Sequence, residues 1–178
     1  MKPKIAFYAP LKSPNHPIPS GDREIARNLL KALDLAGFDA FLASEAISYQ
    51  KRPSRELFAE RRQACDREAG RLLDLWRGDP ASAPDLWMTY HPYCKSPDWI
   101  GPAICAALGI PYVVAEASVA GKQRGVRQEV VDDLPESHLV SLDISGLRLA
   151  RHANPPAELG RFEPPRRLHE ELSWIDAS

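Results

Sequence analysis

Short apolar runs alternate with amphipathic stretches from the start of the chain to about Ser118. The runs predict buried strands, and the stretches with apolar residues on one side predict helices between them. This alternation predicts a Rossmann-like α/β fold, in which helices flank a parallel sheet with right-handed crossovers. The predicted strands are 5–9, 38–43, 86–90 and 111–115, and the predicted helices run from Gly21 to Gly37, Pro53 to Arg77 and Pro97 to Gly109.

The pattern changes after Ser118. Residues 126–133 predict one or two helical turns, and 138–144 predict a strand. From Arg148 onward the sequence is rich in Arg and Pro and has little periodicity until a short helical stretch at its end, which predicts an irregular tail. We therefore expect one Rossmann-like domain over 1–122 and a divergent, partly irregular segment over 123–178.

Composition is that of a globular protein, with 44% hydrophobic and 26% charged residues. The formal net charge of -1 gives no electrostatic case for nucleic acid as a partner. Cys65, Cys94 and Cys105 form no CxxC pair, so we expect reduced thiols, no metal site and a cytoplasmic protein. Acidic residues interleave with the arginines of 53–77, which favours a solvated face over weak contact with the inner membrane surface.

The segment Ser20-Gly21-Asp22-Arg23 opens the first predicted helix. Backbone N–H groups and the partial positive charge of a helix N-terminus suit a phosphate or diphosphate, and a plain turn and cap is the alternative. The chain has no GxGxxG motif, so a nicotinamide or flavin cofactor has little support.

His91 and Glu116 directly follow the third and fourth predicted strands, at the sheet edge where ligands bind in open α/β folds. His91 can hydrogen-bond a sugar hydroxyl or a phosphate or act as a general base, or it is a capped loop histidine. Glu116 can bind a hydroxyl or orient a base; the alternatives are a helix cap or an ion pair with Lys122 or Arg124. Three nearby aromatic residues either line such a site or pack in the core: Tyr90, Tyr93 and Trp99.

Four segments in this order resemble the N-terminal domain of the family-4 type of retaining glycosyltransferases, which have the GT-B fold. They are KIAFYAP, PSGDREIARNLLKALDLAGFDAFLAS, PDLWMTYH and ALGIPYVVAEAS, and the resemblance covers roughly residues 4–118. It implies a two-domain enzyme. The N-terminal domain receives a sugar or lipid-linked acceptor, and the C-terminal domain binds a nucleotide-sugar, which is a substrate rather than a cofactor.

The resemblance also implies roles for particular residues. Gly21 falls at the loop glycine, where the helix N-terminus helps to stabilise a departing diphosphate, and His91 falls at the histidine that ends the third strand. The chain departs from the family at two places. Ser20 stands where a glycine pair is common, and Glu116 stands where relatives often have a histidine.

The resemblance does not extend to a donor-binding domain. Glu163 and Glu171 have the spacing of the family's acidic motif, but Glu60 and Glu68 share that spacing on an ordinary helix, so we interpret it as coincidence. One hypothesis is a truncated or frameshifted product that is inactive alone, and another is a stand-alone domain that pairs with a separate donor subunit. A homodimer is a further expectation.

Two other classes of function stay open from the residues. One is a non-catalytic Rossmann-like binding module that holds a phosphorylated ligand or a partner protein. The other is a small nucleotide-binding enzyme of flavodoxin-like form, which rests on fold analogy alone and ranks lowest.

Overall fold

A computed structural model describes residues 2–52, 54–93, 95–116, 139–143 and 148–151. The strands are β1 (Lys4–Tyr8), β2 (Asp39–Ser44), β3 (Leu86–Tyr90), β4 (Tyr112–Ala115), β5 (Leu139–Asp143) and β6 (Arg148–Arg151). The helices are α1 (Gly21–Leu35), α2 (Arg55–Gly78) and α3 (Gly101–Leu108), and a short 3-10 turn spans Pro80–Ser82. No helix in these ranges is long and apolar enough to cross a lipid bilayer.

The strands form one sheet in the order β2-β1-β3-β4-β5-β6. Every neighbouring pair from β2 to β5 is parallel, and β6 is antiparallel to β5. The prediction of a Rossmann-like α/β fold is therefore confirmed. The chain runs from β1 outward to β2 and then returns to β3, so the strand order reverses between β1 and β3. Ligands of doubly wound sheets bind at such a reversal, beyond the carboxyl ends of the strands.

The second half of the sheet agrees only in part with the sequence pattern. The strand predicted at 138–144 is confirmed as β5. The prediction of irregular chain from Arg148 was wrong for β6, which pairs with β5 along its whole length. An edge strand is held by backbone hydrogen bonds to one neighbour, so it needs no continuous apolar run. The turns predicted at 126–133, the boundary near 122 and the tail after Arg151 lie outside the described residues.

Both faces of the sheet are covered, which explains the nearly continuous apolar character of the strands. Along β1, Ile5 and Phe7 face α1, whereas Ala6 and Tyr8 face the side of α2 and α3. The larger cluster lies on the α2 and α3 side and includes Trp76, Trp87, Trp99, Ile100, Ile104 and Tyr112.

The periodicity of apolar residues also predicts which helix positions are buried, and three of those positions are exposed instead: Ile25 in α1, Leu75 in α2 and Ala107 in α3. Ile25 was predicted on the buried face of α1 but is 40% exposed, because the buried stripe follows Ala26 and Leu30 instead. Leu75 of α2 is 51% exposed for the same reason, since the buried stripe of α2 passes through Leu72 and Trp76. Ile25 and Leu75 each directly precede a buried residue, Ala26 and Trp76. Two adjacent apolar residues fit the helical period almost equally well, so the pattern alone does not show which of them is buried.

Ser54 caps α2, and its removal is expected to cost about 1 kcal/mol of stability. Its Oγ accepts the backbone N–H of Leu57 at 3.1 Å, so Ser54→Ala leaves one donor of the first turn without that acceptor. Ser54→Asp keeps an acceptor and is the matched control. Urea unfolding should show the loss for alanine and near wild-type stability for aspartate. Equal losses in the two variants would contradict the assignment of the cap.

Candidate functional site

Three sequence-predicted positions meet at the carboxyl edge of the sheet. Tyr90 and Ala115 are partners in the β3–β4 ladder, so the next residues, His91 and Glu116, leave the sheet side by side. The backbone N–H of His91 donates to the carbonyl of Ala115 at 2.8 Å, which fixes this exit. The first turn of α1 follows from the neighbouring β1, and Asp22 lies against His91. The site therefore sits at the reversal of strand order.

His91 and Glu116 share an unusual backbone conformation. Their φ angles are 54° and 56°, and within the described part of the chain they are the two non-glycine residues with positive φ. Left-handed backbone costs a non-glycine residue on the order of 1–3 kcal/mol, and such strain concentrates at functional sites. Both residues turn the chain at the end of a parallel strand, so the strain occurs twice at the same edge.

Asp22 and His91 form a carboxylate–imidazole pair. The Oδ1 atom of Asp22 lies 3.2 Å from Nδ1 of His91, and the two side chains are 36% and 25% exposed. A carboxylate next to one ring nitrogen orients the imidazole and leaves the other nitrogen for proton exchange with a ligand. The sequence had indicated both residues, but for separate roles, because no local signal shows that they are neighbours.

Tyr90 lies beneath this pair. Its side chain is 2% exposed. Burial raises the pKa of Tyr90, and the negative charges of Glu116 and then Asp22 raise it further. A hydrogen bond between the Tyr90 hydroxyl and Glu116 raises the pKa as well, so the neutral hydroxyl acts as a donor to that carboxylate. Sequence reasoning placed Tyr90 among packing or site-lining aromatics and missed this arrangement.

The Ser20–Arg23 segment has two features of an anion-binding helix start, which are a capped first turn and backbone N–H groups without an acceptor. Ser20 Oγ accepts the N–H of Arg23 at 3.3 Å and caps α1. The N–H groups of Gly21 and Asp22 have no acceptor among the described residues, and no heavy atom lies within 4 Å of a Cβ placed on Gly21. The first turn is therefore open to a ligand.

The guanidinium of Arg23 contacts other residues and not the first turn at Gly21. Its Nη1 donates to the carbonyls of His16 and Pro17 at 2.9 and 3.3 Å, and its Nη2 lies 3.1 Å from a carboxylate oxygen of Glu24. These contacts hold the guanidinium against the loop that follows β1. Arg23 thus orders that loop, and as it stands here it does not supply positive charge over Gly21.

The aromatic candidates divide into two groups. Trp99 is 6% exposed and packs edge-on against Phe58, with ring centroids 5.0 Å apart, so it belongs to the core. Tyr93 lies at the site, 5.7 Å from the His91 ring and 6.5 Å from Tyr49. Tyr49 is carried by the loop after β2, which is fixed where Ser48 Oγ donates to the carbonyl of Pro97 at 2.7 Å.

The thiols and carboxylates offer no metal centre in the described ranges, where no group of three His, Cys, Asp or Glu residues could hold an ion. Cys65 and Cys105 are buried free thiols, and burial raises the pKa of Cys65 to about 11. Such thiols stay protonated and unreactive at neutral pH. Cys94, and the two cations considered as partners of Glu116, Lys122 and Arg124, lie outside the described residues.

The fold and the site define a Rossmann-like α/β protein with a histidine–carboxylate cluster at the reversal of strand order. Comparison of the chain with protein-family models, with curated proteins and with solved structures finds no match.

Proposed function

We propose that this chain is the acceptor-side half of a GT-B glycosyltransferase, which transfers a sugar from a nucleotide-sugar donor to a sugar or lipid-linked acceptor. The observation that carries the proposal is the meeting of Asp22, His91 and Glu116 at one sheet edge, next to the open first turn at Gly21. The resemblance singles out Gly21, His91 and Glu116 from distant segments, and their convergence supports a common role.

In this proposal His91 handles the acceptor proton. Asp22 orients the imidazole through Nδ1, and Nε2 takes the proton of the acceptor hydroxyl as its oxygen bonds to the sugar carbon of the donor. The bond from that carbon to the diphosphate oxygen breaks through an oxocarbenium-like state. The N–H groups of Gly21 and Asp22 face the negative charge of the departing diphosphate, and Glu116 accepts a hydrogen bond from a second acceptor hydroxyl.

The donor-binding half belongs to a separate domain or subunit in this proposal. The isolated chain should therefore bind an acceptor sugar without turning over a donor. Purified chain would be titrated with glucose, mannose and maltose while the amide resonances of His91 and Glu116 are followed by NMR. Release of UDP from UDP-glucose and of GDP from GDP-mannose would be measured in parallel.

The expected result is sugar-dependent shifts at both residues and no release of nucleotide. Turnover by the chain alone would show a self-sufficient enzyme. A chain that binds none of the sugars would overturn the acceptor role.

Removing either member of the Asp22–His91 pair should weaken acceptor binding. A hydrogen bond to a charged or charge-paired group contributes about 1.5–3 kcal/mol, so His91→Ala should raise the Kd for the best sugar by about tenfold or more. Asp22→Asn should raise this Kd less, because the imidazole of His91 remains but no longer lies next to a carboxylate that orients it. Asp34→Asn, at the other end of α1, is the control and should leave the Kd unchanged. Unaltered binding in His91→Ala would exclude His91 from the site.

A second candidate is a small nucleotide-binding protein of flavodoxin-like form. The strand order β2-β1-β3-β4-β5 favours it, because proteins with that order bind a nucleotide phosphate at the same reversal. The N–H groups of Gly21 and Asp22 suit its phosphate, as they suit the diphosphate of the first proposal. Titration with FMN and UDP separates the candidates, since micromolar binding of FMN without sugar binding would favour the flavodoxin-like one.

The charged side chains of α2 favour a helix face that is exposed to water over one that contacts a membrane. Ion pairs link Arg62 to Asp66 at 3.0 Å and Arg71 to Glu68 at 2.8 Å, so the basic side chains are balanced within the helix. Contact with the inner membrane face and a homodimer both stay predictions. Vesicle flotation and light scattering are the measurements that check them.

A further inference from the structure

We infer that the acceptor of this site is an oligosaccharide rather than a single sugar, and that its second sugar ring packs on Tyr93 and Tyr49. The inference rests on the proposed function and narrows the class of acceptor. Two tyrosine rings lead away from His91, the residue that handles the acceptor proton in that proposal.

The side chains of His91, Tyr93 and Tyr49 form a row of ring contacts at the carboxyl edge of the sheet. The ring centroids of His91 and Tyr93 are 5.7 Å apart, and those of Tyr93 and Tyr49 are 6.5 Å apart. The rings are tilted by 43° and 35°, so neither pair is edge-on. Each step is comparable with the length of one sugar unit in a glycan. The sugar next to the one at His91 therefore reaches the tyrosines.

Tyr49 and Tyr93 differ from the other tyrosines in their exposure. The chain has five tyrosines, and Tyr8, Tyr90 and Tyr112 are at most 3% exposed. Tyr49 and Tyr93 are the remaining two, and both are partly exposed. Partly exposed aromatic rings beside a few placed polar groups are typical of ligand sites, which makes these two the candidates for contact with a ligand.

The loops that carry the two tyrosines are linked by backbone hydrogen bonds. The N–H of Gln50, next to Tyr49, donates to the carbonyl of Lys95 at 2.8 Å. Tyr93 and Ser96 exchange two hydrogen bonds of 3.2 and 2.8 Å, which close the loop after β3. The rings are therefore held in place before a ligand binds, and little ordering is needed on binding.

The row leaves the proposed diphosphate position free. Gly21 begins α1, which packs on the Ile5 and Phe7 side of β1. The loops of Tyr49 and Tyr93 lead instead to α2 and α3, which cover the opposite face of the sheet. A diphosphate at Gly21 and a second sugar ring on the tyrosines can therefore occupy this edge at the same time.

A sugar ring matches the row better than an alkyl chain does. A pyranose has a face of C–H groups, which packs on an aromatic ring, and a rim of hydroxyls, which stays in water. A tyrosine that is partly exposed offers the same combination, an apolar ring with a polar end. An alkyl chain would need a groove of apolar side chains, whereas polar residues neighbour the two tyrosines along the chain: Ser48, Gln50, Lys95 and Ser96.

The test compares each disaccharide with its own monosaccharide. The full chain would be titrated by calorimetry with glucose, maltose, cellobiose, mannose and mannobiose. We expect the best disaccharide to bind about threefold to tenfold more tightly than its monosaccharide, because contact with an aromatic ring contributes about that much. Hexyl β-glucoside should gain less over glucose than the best glucose disaccharide does. Uridine, which has a base without a phosphate, should not bind.

Two variants remove one ring each and keep an apolar side chain. Tyr49→Leu and Tyr93→Leu should each reduce the gain from the second sugar to less than about twofold. Tyr49→Leu should leave the affinity for the monosaccharide unchanged, because Tyr93 lies between Tyr49 and His91. Phe58→Leu is the matched control, since Phe58 is 47% exposed but packs on Trp99, outside the row, and it should keep the gain. Circular dichroism would establish that each variant is folded.

Several outcomes would overturn the inference. One is a gain that survives in both tyrosine variants, and another is a larger gain from the hexyl chain than from a second sugar. Binding of uridine that Tyr93→Leu abolishes would assign the rings to a nucleobase instead. If monosaccharides bind and no disaccharide binds more tightly, only this inference fails and the acceptor role stands. If no sugar binds, both the inference and the proposed function fail.

Discussion

Gly101→Ala is expected to destabilise the protein by about 3 kcal/mol, at the upper end of the usual cost of overpacking a core. A Cβ at this position would lie 2.4 Å from Asp98 Oδ2, 2.4 Å from Trp87 Nε1 and 2.6 Å from Tyr112 Cε2. The three neighbouring side chains are at most 3% exposed, so none can move into solvent. Urea unfolding followed by tryptophan fluorescence measures the loss.

Gly70→Ala is the matched control. Gly70 also lies in a helix, but no heavy atom would come within 4 Å of its Cβ. Alanine there should stabilise the protein by about 0.5–1 kcal/mol, because it removes the backbone entropy cost of glycine without a clash. The two substitutions thus have opposite signs. A Gly101→Ala protein as stable as the wild type would show that the close packing of α3 against β3 and β4 is not as described.

Asp98→Asn is expected to lower the free energy of unfolding by about 3 kcal/mol. The substitution replaces a hydrogen-bond acceptor by a donor at a buried position where all the neighbouring polar groups donate. Asp98 is 1% exposed. Its Oδ1 accepts the N–H groups of Ile100 and Gly101 at 2.8 Å each. Its Oδ2 accepts the indole N–H of Trp87 at 3.2 Å, the hydroxyl of Tyr112 at 3.1 Å and the hydroxyl of Thr89.

Neither orientation of an asparagine amide satisfies this environment. If its NH2 group replaces Oδ2, it meets the Trp87 N–H, which can only donate; if it replaces Oδ1, it meets two backbone N–H groups. Asp66→Asn on the surface of α2 is the control and should change stability by less than about 0.5 kcal/mol, because that exposed carboxylate pairs only with Arg62. Similar losses in the two variants would contradict the network.

The cost of Asp98→Asn should also depend on pH. Burial raises the pKa of Asp98 above its ordinary value of 3.8, although hydrogen bonds from Thr89, from the N–H groups of Gly101 and Ile100 and from Tyr112 oppose the shift. A raised folded-state pKa means that the stabilising contribution is full below 3.8 and is lost as pH rises through the folded-state value.

The measurable quantity is the difference in unfolding free energy between the wild type and Asp98→Asn. We expect it to shrink as pH rises above 3.8 and through the raised pKa of Asp98, because the wild type loses stability there through Asp98 and the variant does not. A difference that is constant with pH, or that grows, would show that Asp98 is not the buried acid described above.

The positions of the strands and helices were predictable because burial on a strand or on one side of a helix leaves a periodic trace in the sequence. Two helix ends were also predictable, since Gly37 and Gly109 stand where the chain needs positive φ, and their φ angles are 91° and 66°. The start of the third helix was predicted four residues early, at Pro97. Asp98 precedes that helix and accepts the N–H groups of its first turn, while α3 begins at Gly101.

The candidate site was predictable only in outline. His91 and Glu116 follow strands, so their location at the carboxyl edge comes from the general rule for parallel sheets. The pairing of Asp22 with His91 needs β1 next to β3, and the alternation of apolar and polar positions contains no information on which strands are neighbours. The hydroxyl of Tyr90 was missed for the same reason, since its neighbouring carboxylates come from α1 and from the residue after β4.

The sequence by itself determined the α/β class, the three helices, the strands β1 to β5, and a set of candidate residues at strand ends and at one helix start. Those features depend on contacts within a few residues, which periodicity, caps and glycines record. Only the tertiary structure decided that the candidates share one edge, that Arg23 is held by its own loop, and that two carboxylates lie near a buried hydroxyl. These depend on strand order and on packing between distant segments, which are set by the total free energy of the fold rather than by any local pattern.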